Sequence, residues 1–148
     1  MAFQFSLAAV WHFRKSRKEQ EKLRLQNLLA RRAALAGEMQ QARNARLRLE
    51  RSLRRRLEET MTSAADVQMV AGVCAGLERR QQQLQAAWLQ VQTEIAAQAE
   101  RYRAARQEHE VVDALRQLRL GEYRLEQQRR EQAALDELFL LGRVRKRA

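Results

Sequence analysis

The sequence predicts an all-α fold, a long antiparallel two-helix coiled-coil hairpin whose second helix is longer than the first. Three observations predict it: no proline occurs in 148 residues, a seven-residue apolar repeat runs through both halves, and one small-residue segment between Thr60 and Gly76 interrupts that repeat. A proline inside a helix costs about 3 kcal/mol, so its absence leaves only that segment as a break. A period of 3.5 residues keeps an apolar stripe facing a partner only if the helices supercoil, with each knob entering a hole opposite. A stripe this narrow cannot surround a globular core, and the expected molecule is one coiled-coil domain over residues 1–148, a rod.

Helix one is expected from about Phe5 to Met61. Its seam runs Leu25, Leu28, Arg32, Leu35, Met39, Ala42, Arg46, Leu49, Leu53, Arg56 and Thr60, seven of the eleven being apolar. The turn is expected at residues 62–66, within the run Thr60 to Asp66, because short polar side chains favour caps over helix interiors. Ser63 and Asp66 have the spacing of a capping box. Gly72 and Gly76, four apart on one face, permit close backbone approach at a cost of about 1 kcal/mol each in helix propensity.

Helix two is expected from about Ala64 to Leu141, with Gly142 as C-cap before a basic tail over 142–148. Its seam runs Val70, Cys74, Leu77, Gln81, Leu84, Trp88, Val91, Ile95, Gln98, Tyr102, Ala105, His109 and Val112, ten of thirteen apolar. A fold-back near Ser63 sets Phe5 opposite roughly Gly121, and the remaining helix then projects on the order of 30 Å at 1.5 Å per residue. After Val112 the apolar phase changes, and Leu115, Leu118, Leu125, Leu135 and Leu138 follow a different track, as expected where helix one runs out.

Charge is large and uneven. The chain carries a formal +11, with Arg43 to Arg56 holding seven basic side chains and one acid while Thr60 to Gly76 holds no basic residue. Such a balance admits nucleic acid, an acidic membrane surface or an acidic protein as partner. Arginine stems also lie well along a solvated helix face, which is the preferred reading of Arg43 to Arg56. Cys74 sits at a seam position and reads as a small buried hydrophobe. Without paired cysteines there is no disulfide framework, as suits the cytoplasm.

The apolar opening up to Phe13 has its positive charges after the apolar stretch, contrary to a signal peptide. It is also well short of the ~20 apolar residues that span a bilayer. Two apolar clusters are expected to meet at the open end: Phe3, Phe5, Leu7, Val10, Trp11 and Phe13 from one arm, and Leu135, Leu138, Phe139, Leu140 and Leu141 from the other. Rimmed by Arg14, Lys15, Arg17, Lys18 and the basic tail, they read as a docking end.

No catalytic, cofactor-binding or metal-binding constellation is recognisable. His12 and His109 are far apart in sequence, and neither a Gly-rich phosphate loop nor HExxH nor GxSxG occurs. His109, at a seam position, reads as a register-tuning polar residue. The chain is therefore not expected to be an enzyme.

Two stretches carry a resemblance to a known family. Phe3-x-Phe5-x-Leu7-x-x-Val10-x-x-Phe13-Arg14 is similar to the aromatic opening of the flagellar FliJ proteins, components of the flagellar type III export apparatus. Tyr123-x-x-Glu126 followed by Glu131-Gln132-x-x-Leu135-Asp136-Glu137-Leu138 is similar to their C-terminal signature, and Asp66-Val67-Gln68-Met69 resembles their restart after the turn. The resemblance implies a cytoplasmic protein at the inner face of the cell membrane, without a transmembrane segment. It implies a stalk whose terminal end enters the hexameric export ATPase, contacts to the cytoplasmic domain of the export gate, and handling of export chaperones. The ring contact would be carried by Phe3, Phe5, Leu7, Trp11, Phe13, Arg14, Leu135, Leu138 and Phe139. Two alternatives share the features: the equivalent stalk of a virulence-type secretion system, and a basic coiled-coil arm on nucleic acid. Against the second, no aromatics interleave with Arg43 to Arg56 to make a stacking platform, and nucleic acid is not an expected partner.

Overall fold

The computed structural model describes residues 2–59 and 63–148. Two helices make up the fold, α1 over Ala8–Glu59 and α2 over Ala64–Arg147, of 52 and 84 residues, and no strand occurs among the described residues. The helices pack against each other as a hairpin, with the second the longer, as the heptads predict.

Helix ends differ from expectation, each for a local reason. Helix α1 starts three residues after Phe5, whose carbonyl accepts from Ala8 N at 3.0 Å. Thr60, Met61 and Thr62, which include the expected end of helix one and the start of the expected turn, lie outside the described residues. The turn does not reach Asp66, because Ser63 caps α2 directly: its Oγ accepts from Asp66 N at 3.3 Å and its carbonyl from Val67 N at 3.3 Å. Asp66 then sits in the first turn, where a carboxylate complements the helix dipole. Nor does Gly142 end α2. It has no positive φ, and Arg145, Lys146 and Arg147 occupy the true last turn, where cations suit the carbonyl end. The basic tail is helix.

The chain divides into two packing units: the stretch up to Gln20 with Arg103–Ala148, and Glu21–Tyr102. In the second unit, α1 and α2 run antiparallel, since partner numbers fall as α1 numbers rise. Gln98 Nε2 donates to the Glu21 carbonyl at 3.1 Å and to the Glu21 carboxylate. Arg32 donates to Gln92 Oε1 at 3.4 Å, Arg80 pairs with Glu38 at 2.9 Å, and Arg46 with Glu78 at 3.7 Å. The first unit repeats the order with Phe3 on Tyr123, Trp11 on Asp113, and Arg14 and Arg17 on Glu108.

None of the thirteen α2 seam positions is exposed, and Leu84, Val91, Gln98, Ala105, His109 and Val112 are buried. No α1 residue is buried. In α1 the half-buried line agrees with the expected seam at Leu25, Leu28, Arg32, Leu35, Met39, Ala42, Leu49 and Leu53. It departs at Arg46 and Arg56, which are exposed. Ala45 turns inward instead, and Arg46 reaches out to Glu50 and Glu78; a guanidinium in the seam would lose hydration without a matched partner.

The change of apolar phase after Val112 does not mark the end of pairing. Arg116, Leu120, Tyr123 and Gln127 continue the half-buried line at spacings of three and four. Apart from Leu120, the seam there is built from amphipathic side chains, whose stems and rings pack while their polar ends stay wet, so an apolar count misses them. The glycines are not close-approach sites either: a Cβ at Gly72 or Gly76 would meet nothing within 4 Å.

Candidate interaction site

The residues expected at the docking end all fall in the first unit, and the structure separates them into two groups. Phe3 and Phe5, ahead of α1, lie against α2 around Tyr123, where with Arg119, Glu126 and Arg130 they line an open groove of about 450 Å³. The Phe3 and Tyr123 ring centroids are 5.5 Å apart. This contact places Phe3 where the expected register puts it, since Phe5 opposite Gly121 implies Phe3 opposite Tyr123.

Trp11 is held inside the chain. Its indole N–H donates to Asp113 Oδ1 at 2.8 Å. Arg116 lies 4.7 Å and Lys15 5.0 Å from its ring, and the His109 ring packs at 5.8 Å. Cations on an indole face are attracted by the ring quadrupole, so Trp11 joins two helices through three kinds of contact. Arg14 is committed too: its Nη1 donates to the Glu108 carbonyl at 3.0 Å. His109 is buried beside this cluster, and its Nε2 has no hydrogen-bond partner. Phe13 is 67% exposed, and Leu7 and Val10 are partly exposed.

The second group stands apart. Leu135, Leu138, Phe139, Leu140 and Leu141 are exposed, and from Gln128 to Ala148 every residue is exposed. Leu138, Leu141, Gly142 and Val144 line a groove made by α2 alone. The expected meeting of the two apolar clusters does not occur. Phe3 packs on Tyr123 in a groove whose lining ends at Arg130, and from Tyr123 to Leu135 is twelve residues, roughly 18 Å of helix.

Three side chains that fix this end are not singled out by the sequence for that role. Asp113 and Arg116 hold Trp11, and Tyr123 seats Phe3; only Tyr123 was visible, as part of a C-terminal signature, without its partner. Val144 extends the apolar end three residues past Leu141, and Arg143 lies 5.8 Å over the Phe139 ring. Continuing the helix through Gly142 would have revealed both.

Among the described residues no group of His, Cys, Asp and Glu could hold a metal ion, and no described helix is long and apolar enough to cross a membrane. The grooves are open surfaces, some between the two helices and some on one helix alone. No curated protein and no solved structure matches the chain. A family model described as the flagellar FliJ protein matches residues 3–147, nearly the whole length. With its heptads, its aromatic opening and its C-terminal signature covered by that match, the chain belongs to the flagellar FliJ family.

Proposed function

We propose that this protein is a non-catalytic component of flagellar protein export that acts as the central stalk of a hexameric export ATPase, working in the cytoplasm at the inner face of the membrane. Family membership supports the flagellar, export-associated role. The observation that carries the stalk reading is the unpaired end of α2: six large apolar side chains, Leu135, Leu138, Phe139, Leu140, Leu141 and Val144, at 60–67% exposure. Burying one such side chain is worth about 1.5–3 kcal/mol, so a ring channel that enclosed three of them would gain enough to retain the stalk. Arg143, Arg145, Lys146 and Arg147 around them would pair with acidic loops and fix orientation.

Within the expected contact set, the ring contact rests on Leu135, Leu138, Phe139, Phe13 and Leu7. Trp11 and Arg14 support it from inside the hairpin, and Phe3 and Phe5 brace the base of the overhang. Contacts to the export gate and to export chaperones fall to surfaces away from this end, with the whole length serving as one coiled-coil domain.

The test is co-elution with the export ATPase and stimulation of its ATP hydrolysis. A Leu138→Ala, Phe139→Ala, Leu141→Ala variant should lose both while keeping its helical circular dichroism, whereas Leu89→Ala, exposed in the other unit, should lose neither. Wild-type stimulation by the triple variant would remove the stalk reading. Retention on RNA that falls steeply with salt would instead favour the nucleic-acid arm.

A further inference from the structure

Helix α2 carries a second heptad track, distinct from the seam that faces α1. From Val111 it runs at alternating spacings of three and four to Gly142, and every one of its ten positions is exposed. Val111 is 67%, Leu118 60%, Leu125 57% and Phe139 66% exposed. On a helix of 3.6 residues per turn this track lies nearly opposite the line Val112, Arg116, Leu120, Tyr123 that meets α1. Five of its ten positions, Val111, Leu118, Leu125, Leu135 and Phe139, are large apolar side chains with no partner in the chain among the described residues, a line suited to another helix.

We propose that the occupant is the same stretch of a second copy of this chain, running antiparallel about a two-fold axis near Glu126 and Gln127. Side-chain size argues for this partner. In that register Phe139 meets Ala114 of the second copy, Val111 meets Gly142, Gln132 meets Gly121, Leu125 meets Gln128, and Leu118 meets Leu135, so that no layer holds two aromatic rings or two glycines. A parallel pair would stack Phe139 on Phe139 and Gly121 on Gly121, too full in one layer and empty in another.

Charge argues the same way. The antiparallel register sets Glu122 beside Arg129 of the second copy and Glu108 beside its Arg143, each contact made twice by symmetry. The parallel arrangement would set Arg124 against Arg129 and Glu131 against Asp136, both like charges. A slip of one heptad in the antiparallel pair would bring Glu122 onto Asp136 and Arg129 onto itself. On the other flank the same register sets Arg124 beside Glu131 of the second copy, again twice by symmetry. Arg129 has no ion pair within its own chain among the described residues, and Glu122 accepts only from Arg119 one turn away on an exposed surface.

The pair would cover Leu135 and Phe139, which the stalk role also uses, so self-pairing and ring docking exclude each other. Free protein is then held with its apolar end covered, and the ATPase must displace a second copy to reach it. The self-pairing stands on the heptad track and its charges alone and does not depend on the ring.

Sedimentation velocity over a concentration series tests it without any other protein. Wild type should shift with concentration from the 17.4 kDa chain mass toward twice that value. Arg129→Glu faces Glu122 twice and should weaken association about tenfold or more; adding Glu122→Arg should restore it. In a Cys74→Ala background, Arg124→Cys combined with Glu131→Cys sets one thiol beside the other's counterpart in the second copy and should form intermolecular disulfides under mild oxidation, while Arg124→Cys combined with Arg130→Cys, the latter on the opposite face, should not. A monomer at every concentration would assign the track to a helix of some other protein and overturn the proposal. So would association that Arg129→Glu leaves unchanged, or equal cross-linking of the 124/131 and 124/130 variants.

Discussion

Replacing Trp11 by Phe isolates one polar contact between two helices. The ring stays, but the indole N–H that donates to Asp113 Oδ1 at 2.8 Å is lost. A hydrogen bond to a charged acceptor contributes about 1.5–3 kcal/mol net, and the part-buried setting points to the lower end, about 1.5 kcal/mol. The smaller ring also weakens the contacts with Arg116 at 4.7 Å and Lys15 at 5.0 Å; cation contacts at exposed sites are worth about 0.5–1 kcal/mol and are strongest for tryptophan. The sum is a loss of about 2 kcal/mol. With a urea slope near 2 kcal/mol/M, the midpoint followed by circular dichroism should fall by about 1 M. A cycle with Asp113→Ala should give a coupling of about 1 kcal/mol or more. An additive cycle with a midpoint shift under about 0.2 M would mean that Trp11 contributes only as an apolar surface, and the polar account of this contact would be wrong.

Other perturbations separate structural roles of different kinds. Gly72→Ala and Gly76→Ala should each raise stability by about 1 kcal/mol, because α2 gains helix propensity and the new methyl meets nothing within 4 Å; a loss in thermal denaturation would expose a hidden constraint. His109→Leu should stabilise by about 1 kcal/mol, since it removes a buried Nε2 that has no partner, and a lower urea midpoint would show that the ring nitrogen is satisfied in solution. Ser63→Ala should cost about 1 kcal/mol by removing the α2 cap, seen as faster amide exchange at Asp66 and Val67. Glu38→Ala should cost less than about 1 kcal/mol, the Arg80 pair being half-exposed on both sides.

The α2 seam was legible because its apolar residues recur without interruption from Leu84 to Ile95, and period alone then assigns the face. Near Arg46 the same rule failed, since a heptad count does not weigh an arginine against the alanine beside it, whereas solvation does. The pairing of Trp11 with Asp113, 102 residues apart, leaves no periodic trace: any carboxylate at the right height would serve. Leu138 and Phe139 were legible as an apolar end but not as an isolated one. The expected register, with Phe5 near Gly121, already carried Leu135 well past the first arm, yet apolar residues at both termini invited the opposite conclusion. The helix end at Gly142 was misread because glycine ends a helix mainly by adopting positive φ, which residue type permits but does not impose.

The two indoles of the chain fall one to each packing unit. Trp11 is flanked by two cations and two imidazoles, while Trp88 lies in a groove beside Ala36, Met39 and Arg43. Two such different surroundings give two distinguishable emission spectra, so each half of the hairpin carries its own intrinsic optical probe. A partner that grips one half will disturb one emission and leave the other as an internal standard, with no label attached.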